Sequence, residues 1–189
     1  YMRDQLEFVN CGHEAPVGQT GVGFDHNCVL FADNQVKCWG YNDSGQLGLG
    51  DTIERGRFPG EMGENLPFVN LGSDLTVERL QVNGHRSCVT FENKRVKCWG
   101  RYTALGLGDY NSRGDAPNEM GESLPYLDVG APIRNLYLGA YHSCAVLENG
   151  RMKCWGGNAY GQLGLGDQLN RGNQPNSTGA NLPYVDLGT

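Results

Sequence analysis

The sequence predicts an all-β protein made of β-propeller blades, each with four antiparallel strands. A segment ending in Cys-Trp-Gly occurs three times, with the cysteine at 38, 98 and 154, so the repeats are 60 and 56 residues apart. Each repeat contains short apolar runs separated by turn residues, and repeats of this length with four short strands are typical of propeller blades. No window of a dozen residues keeps the helical period of about 3.6 residues.

The central segment of each repeat predicts a β-hairpin. In HSCAVLENGRMKCWG at 142–156, and in its counterparts from His26 and Arg86, two apolar and β-branched runs flank a polar break. A three-residue loop places the turns at 32–34, 92–94 and 148–150. Counting outward then sets the two cysteines of each hairpin opposite each other, at a site where facing Cα atoms lie about 4.5 Å apart, a distance that a disulfide spans. We predict the disulfides Cys28–Cys38, Cys88–Cys98 and Cys144–Cys154.

Two further segments complete each four-stranded blade. A short strand ending in glycine precedes each hairpin, and LPFVNLG, LPYLDVG and LPYVDLG follow at 66–72, 124–130 and 182–188. LEFVNCG at 6–12 matches these last strands, so the chain is expected to open on the final strand of a preceding repeat. The predicted bounds are 1–12 for this leading strand and 13–72, 73–130 and 131–189 for the three blade repeats.

The loops between hairpin and last strand are interpreted as structural. GQLGLG at 45–50 and 161–166 lacks the Lys-Ser/Thr ending of a phosphate-binding P-loop and precedes no helix. An Asp with an Arg four residues later follows in every repeat and is expected to tie its own loop, the alternative being a ring of guanidinium groups for an acidic partner. The tryptophan beside each second cysteine is predicted to pack between neighbouring blades, rather than to form a binding surface for a sugar or a protein. These tryptophans are Trp39, Trp99 and Trp155.

The repeat resembles that of the regulator of chromosome condensation family. The resemblance covers almost the whole chain and rests on the His-Ser pair, V-x-x-WG, the N-x-x-G-QLG-x-G segment and a late Pro. It implies a seven-bladed propeller, of which these three repeats would form part. The middle repeat departs from the pattern with TALGLG, and paired cysteines are not part of the usual intracellular pattern. The nuclear activity of the family is therefore not expected here.

Composition, charge and cysteine spacing predict the compartment of the protein and the classes of partner it can have. The formal net charge of −6 without a Lys/Arg cluster argues against nucleic acid as a partner, and no apolar run reaches the length needed for membrane insertion. Identically spaced cysteine pairs indicate an oxidising compartment, extracellular or in the secretory pathway. Two sequons, at Asn42 and Asn176, are candidate glycosylation sites. Cys11, which aligns with Leu71, is expected either to pack in the interior or to form a disulfide with another chain.

No catalytic set, cofactor site or metal site is predicted. His26 and His142 stand two residues before a cysteine, but Arg86 takes this place in the middle repeat and no C-x2-C pair occurs, which argues against zinc. We therefore predict a non-enzymatic extracellular binding or structural module that contacts a protein partner or neighbouring chains of the same assembly. Three blades would not close a ring, so the module is expected to belong to a larger propeller or assembly. The alternatives are a guanine-nucleotide exchange factor like the namesake of the family and a carbohydrate-binding propeller.

Overall fold

Three antiparallel sheets of three strands each follow one another along the chain. The computed structural model describes residues 8–73 and 75–188. Blade 1 contains β1 (Val17–Val22), β2 (His26–Phe31) and β3 (Val36–Gly40). Blade 2 contains β4 (Val77–Asn83), β5 (Arg86–Phe91) and β6 (Val96–Gly100), and blade 3 contains β7 (Ile133–Leu138), β8 (His142–Leu147) and β9 (Met152–Gly156). Within each sheet the strands lie side by side in chain order, so the all-β class is confirmed.

Helical structure in the described ranges is limited to one short 3-10 turn per blade. These turns are Gly63–Asn65, Gly121–Ser123 and Gly179–Asn181. Among the residues described, no helix has the length and apolar character needed to cross a membrane.

The hairpins have the predicted register. Cys28 faces Cys38, and the equivalent cysteines face each other in blades 2 and 3. All three pairs form disulfides with Cα atoms 4.1 Å apart, so the predicted pairing is confirmed. The last loop residue takes the left-handed conformation, with φ of 75° at Asn34, 67° at Lys94 and 78° at Gly150. The turn type therefore fixes which residues face each other across each hairpin.

The fourth element of each blade is shorter than a full strand. In blade 1 it meets β3 through a single bridge between Lys37 and Phe68 and one hydrogen bond from the Val69 N–H to the Val36 carbonyl at 2.8 Å. The other two blades repeat this arrangement. A proline precedes each bridge residue and lacks an N–H, and the 3-10 turn ends just before it, so the ladder cannot extend further.

The predicted leading strand lies partly outside the described residues, which begin at Phe8. Residues 8–12 are not assigned to a strand. The Asn10 carbonyl nevertheless accepts a hydrogen bond from the Gly63 N–H at 3.1 Å, as the Asn70 carbonyl does from Gly121 at 3.0 Å. The repeat boundaries themselves stay a prediction.

The hydrophobic core lies between successive blades. One cluster joins residues of blade 1, such as Leu30 and Leu47, to residues of blade 2, such as Phe91 and Trp99. A second cluster joins blades 2 and 3 in the same way. The Gln19 side chain of β1 also donates to the Glu78 carbonyl and accepts from the Leu80 N–H of β4. Each blade is thus stabilised mainly by its neighbour, as in a propeller.

A buried lysine in every blade ties the blade to the preceding segment. Lys37, Lys97 and Lys153 are at most 1% exposed. The Lys97 ammonium donates to the Leu71 carbonyl of repeat 1 at 3.0 Å and to the Gly121 carbonyl of repeat 2 at 2.8 Å. Burial lowers the pKa of Lys97, with Glu122 opposing this effect. At the junction between repeats, backbone carbonyl groups therefore take the place of water around the buried ammonium.

Candidate functional site: an aromatic face

Two of the three tryptophans, Trp99 and Trp155, pack between blades, as predicted. Trp99 and Trp155 are at most 1% exposed. Their indole N–H groups donate to the carbonyls of Gln46 and Ala104 in the preceding repeat, at 3.1 and 3.0 Å. Trp39 of blade 1 is half-buried.

The glycine-rich loops and the Asp-x3-Arg pairs have structural roles. Gly48 has a φ of +70°, and a Cβ there would lie 2.7 Å from the Trp99 indole nitrogen, so only glycine allows this approach. Each Asp carboxylate contacts the Arg four residues later, at 2.8 Å in Asp51–Arg55 and at 2.7 Å in the other two pairs. The interpretation of these pairs as ties within their own loops is supported.

The two candidate glycosylation sites differ in exposure. Asn42 is fully buried: its side chain donates to the Asp51 and Ile53 carbonyls and accepts from the Leu47 N–H. This burial argues against glycosylation of Asn42 in the folded chain, because an attached sugar would break these hydrogen bonds, and glycosylation at both sequons stays a prediction. Asn176 is exposed and stays a candidate.

Cys11 is a free, half-buried cysteine. Burial raises the pKa of its thiol, and the nearby Lys37 opposes that effect. Its backbone carbonyl accepts from the Lys37 ammonium at 2.7 Å, so residue 11 has a place in the contact between repeats. A disulfide with another chain stays a prediction.

The strongly shifted titratable groups also belong to the blade packing. Burial, followed by the charge of His85, lowers the pKa of His26 to about 4, and its Nε2 lies 2.9 Å from the Ser87 hydroxyl. Burial lowers the pKa of Arg86 to about 10, and its guanidinium donates to the Ser143 hydroxyl at 2.7 Å. These contacts join one blade to the next, which is a structural cause of perturbed pKa values.

The turn between the first two strands of each blade meets the loop that follows the third strand. The Tyr41 N–H donates to the Asp25 carbonyl at 2.8 Å, and the Arg101 N–H to the His85 carbonyl at 3.0 Å. In blade 3 the Gly157 N–H donates to the Tyr141 carbonyl at 2.8 Å. All three blades therefore present these turns on the same face of the structure.

Aromatic side chains line this face. The Phe24 and His85 rings meet edge to face with centroids 5.4 Å apart, and the Tyr41 ring lies 6.1 Å from His85. His85, Arg101 and Tyr141 line one shallow depression. Phe24 and Tyr141 are 52% and 53% exposed. We call the surface formed by Phe24, Tyr41, His85, Arg101 and Tyr141 the aromatic face.

The turns beneath the aromatic face are closely packed. The Phe24 N–H donates to the Gly84 carbonyl at 2.9 Å, and a Cβ at Gly84 would lie 2.8 Å from the Ala140 carbonyl oxygen. Successive turns thus lie in direct contact across three blades. The aromatic side chains are held on a preformed backbone instead of on long loops.

The polar groups of the aromatic face suit recognition of a partner. A hydrogen bond to Asp43 and the charges of Asp43, Glu54 and Asp25 raise the pKa of Tyr41. Over the described ranges, no cluster of three or more His, Cys, Asp or Glu could hold a metal ion. Flat rings, one guanidinium and nearby carboxylates offer stacking, hydrogen bonds and cation–π contacts.

The residues of the aromatic face are not among the candidates taken from the sequence. The candidate residues predicted from the sequence are mostly common to all repeats, whereas Asp25, His85 and Tyr141 occupy equivalent positions with different side chains. Variation at one turn position within otherwise similar repeats is the signal that could have identified this surface.

Comparison with known proteins agrees with this architecture. Residues 19–46 and 133–162 match the family model "Regulator of chromosome condensation (RCC1) repeat". The chain is also similar to the ultraviolet-B receptor UVR8 of Arabidopsis thaliana, with 30% identity over 160 residues that cover 82% of this chain and 32% of the receptor. This chain belongs to the RCC1 repeat family. Human E3 ubiquitin-protein ligase HERC2 is 29% identical to this RCC1-repeat chain over 148 residues, which cover 75% of this chain and 3% of the ligase.

A solved structure gives the same fold. The RCC1-repeat chain superimposes on Prp20p of Saccharomyces cerevisiae with a TM-score of 0.64 and 20% identity, covering 87% of this chain and 39% of Prp20p. The chain spans about a third of UVR8 and a few per cent of HERC2. The propeller blade architecture is therefore established, and the seven-bladed ring stays a prediction.

Proposed function

We propose that this RCC1-repeat chain is a non-enzymatic extracellular module that binds a protein partner through its aromatic face. The observation that carries the proposal is the exposure of Phe24 and Tyr141, each more than half exposed, on turns that pack against one another. Aromatic residues and Arg are enriched at the centres of protein interfaces, where they contribute most of the binding energy.

A preformed aromatic surface favours binding for a second reason. Ordering side chains and loops costs free energy on association, and turns already fixed by backbone hydrogen bonds reduce that cost. The chain carries a net charge of −6, so a phosphate backbone would be repelled at long range. A protein surface is the partner class that fits both properties.

Known relatives support a protein partner. Yeast RCC1 (Prp20) has been crystallised with Kap60, and binding properties of Prp20p to Gsp1p and histones have been described. The partner of this chain is expected to differ, because the three disulfides favour an oxidising compartment.

The test is a capture experiment with matched variants. The oxidised chain is immobilised and exposed to extracellular proteins, and bound proteins are identified and their affinities measured. A Phe24→Ser/Tyr141→Ser variant should lose at least about tenfold in affinity, since aromatic anchors typically contribute 2 kcal/mol or more. The control is Phe58→Ser, which changes a side chain that is 61% exposed and has no ring contact with the aromatic face.

A partner that binds wild type and the double variant equally would refute the assignment to the aromatic face. A glycan array distinguishes the carbohydrate-binding alternative, since binding to a defined sugar with no protein partner would refute the proposal. A turnover signal abolished by one substitution at a residue without counterparts in the other repeats would refute its non-enzymatic part.

A further inference from the structure

The shallow depression of the aromatic face lies at the junction of blades 2 and 3, beside the shortened loop of blade 2. This loop runs from Arg101 to Ala104, whereas the equivalent loops span 41–46 in blade 1 and 157–162 in blade 3. Because the Gln46 and Ala104 carbonyls accept from equivalent tryptophans, the ends of the loops match and two residues are absent between them. Less of the chain therefore covers the face at this junction.

Residues of both blades line this depression, which we call the blade-2 depression. They are His85, Arg86, Arg101 and Thr103 of blade 2 and Ala140 and Tyr141 of blade 3. The space inside the depression is about 10 Å³, room for about one water-sized group. A small group at the end of a side chain fits this space, whereas a sugar ring or a tetrahedral phosphate is too large for it.

Blade 2 carries permanent positive charge at positions of this surface where blades 1 and 3 carry none. In chain order the three positions hold His85, Arg86 and Arg101 in blade 2, Asp25, His26 and Tyr41 in blade 1, and Tyr141, His142 and Gly157 in blade 3. Burial lowers the pKa of both His26 and His142, so these two side chains are neutral at pH 7. Arginine stays charged at that pH, so blade 2 contributes fixed cations to the aromatic face.

Arg86 is a buried charge without a carboxylate partner. Its side chain is 1% exposed, and its four hydrogen bonds all go to neutral acceptors, namely the Ala104, Gly139 and His142 carbonyls and the Ser143 hydroxyl. In the part of the chain that the structure describes, no carboxylate forms an ion pair with its guanidinium. The charge of Arg86 also helps to lower the pKa of His142. A cation held only by neutral dipoles keeps a positive potential at the surface next to it, because little water screens a buried charge.

Arg101 adds a second unpaired charge at the edge of the blade-2 depression. Its side chain is exposed, and its backbone N–H donates to the His85 carbonyl at 3.0 Å, which holds the two residues together. Across residues 8–73 and 75–188 it too forms no ion pair. The whole chain carries a net charge of −6, so two unpaired guanidinium groups lining one depression are a local exception to an acidic protein.

A carboxylate is the ligand group that fits these properties. It is small and planar, and its two oxygens match the geometry of a guanidinium group. On blade 1 the negative charges of Asp25, Asp43 and Glu54 all act on Tyr41, so that end of the aromatic face repels an anion. Repulsion at blade 1 and attraction at blade 2 together fix where an acidic side chain binds.

We propose that the blade-2 depression binds an aspartate or glutamate side chain of the protein partner, with its carboxylate paired to Arg101 and placed over the buried Arg86. This inference rests on the proposed function, because it names the chemistry of the partner that the aromatic face binds. Phe24 and Tyr141 are both more than half exposed on the same face, so the acidic residue is expected to stand close to an apolar or aromatic one.

A library of random dodecapeptides displayed on phage tests the proposal with the oxidised 189-residue chain as the immobilised target. The selected peptides should be enriched in Asp and Glu over the unselected library. The most enriched peptide is then synthesised in two forms, one with its acidic residue and one with the corresponding amide, Asn or Gln. The acidic form should bind at least about tenfold more tightly, since close charge pairs in interfaces contribute about 1.5 kcal/mol or more.

Variants of the chain show whether the blade-2 depression causes this preference. Arg101→Gln should remove most of the preference and leave binding of the amide form unchanged, which a double-mutant cycle measures. The matched control is Arg134→Gln, which makes the same change in charge at an exposed side chain of β7 outside the depression and should keep the preference. Arg86→His, which installs the residue of blade 1, should also reduce the preference. Near-ultraviolet circular dichroism checks its folding, and Arg101→Gln, at an exposed side chain, keeps the test valid if Arg86→His does not fold.

The outcomes separate this inference from the proposed function. A library selection without enrichment of acidic residues would overturn the inference, and so would a preference that survives Arg101→Gln. Phe24→Ser should weaken binding of the acidic and amide forms by the same factor. Peptides that depend on Phe24 but show no acidic preference would support the aromatic face and overturn the inference. An acidic preference that depends on Arg101, in peptides indifferent to Phe24→Ser, would support the inference and count against the wider aromatic face.

Discussion

Replacing the buried lysine of blade 2 tests how the repeats are held together. In Lys97→Met the side chain keeps most of its length, but the carbonyls of Leu71 and Gly121 lose the hydrogen bonds that the Lys97 ammonium donates. A hydrogen bond to a charged group contributes about 1.5–3 kcal/mol net, and a buried methionine returns about 1.5–3 kcal/mol through apolar burial. Two lost bonds cost about 3–6 kcal/mol, so after this return a destabilisation of about 1.5–3 kcal/mol is left.

Thermal unfolding of the oxidised protein, followed by near-ultraviolet circular dichroism, measures this loss. For a chain of this size, 1 kcal/mol corresponds to about 2–4 °C, so Lys97→Met should lower the midpoint by about 3–12 °C. The control is Lys94→Met in the same blade, which removes a half-exposed ion pair with Glu78 and should cost at most about 1 kcal/mol. Equal midpoints for the two variants would refute the role of Lys97 as a tie between repeats.

Three further results are expected. The pKa of His26 is lowered to about 4 in the folded chain, so its stabilising contribution is complete above the unfolded pKa of about 6.5 and is lost as pH falls towards 4. Urea unfolding measured between pH 7 and about 4 should show that wild type loses about 3 kcal/mol of unfolding free energy from this histidine. The variant His26→Gln should not show this loss. The double variant Cys88→Ser/Cys98→Ser should lose about 2–3 kcal/mol of unfolding free energy, and an unchanged urea midpoint would contradict this expectation. Glycopeptide mapping after secretion should find sugar at Asn176 and none at Asn42; a glycan on Asn42 of folded protein would contradict its burial.

The strand pairing of the three hairpins is specified by local sequence. Alternation in the strands and the three-residue loop fix the register, so Cys28 faces Cys38 whatever the rest of the chain does. The disulfides could therefore be predicted by counting along the chain. The tryptophan packing could also be predicted, because the chain repeats one large aromatic residue in an otherwise identical setting.

The short fourth element and the burial of Asn42 were decided by tertiary structure. A glycosylation sequon has the same sequence pattern in a buried loop and in an exposed loop. Only folding of the loop brings the Asp51 and Ile53 carbonyls to the Asn42 amide. LPFVNLG has the composition of a strand, but the 3-10 turn before Pro67 leaves it a single bridge.

The aromatic face depends on contacts between residues that are far apart in the sequence. Phe24 and His85 are separated by 61 positions, and their rings meet because successive blades place equivalent turns side by side. The sequence by itself determined the local strands and their pairing, since the interactions that specify them span about ten residues. The surface available to a partner could not be predicted from the sequence, because the packing of blades against one another decides which side chains remain exposed.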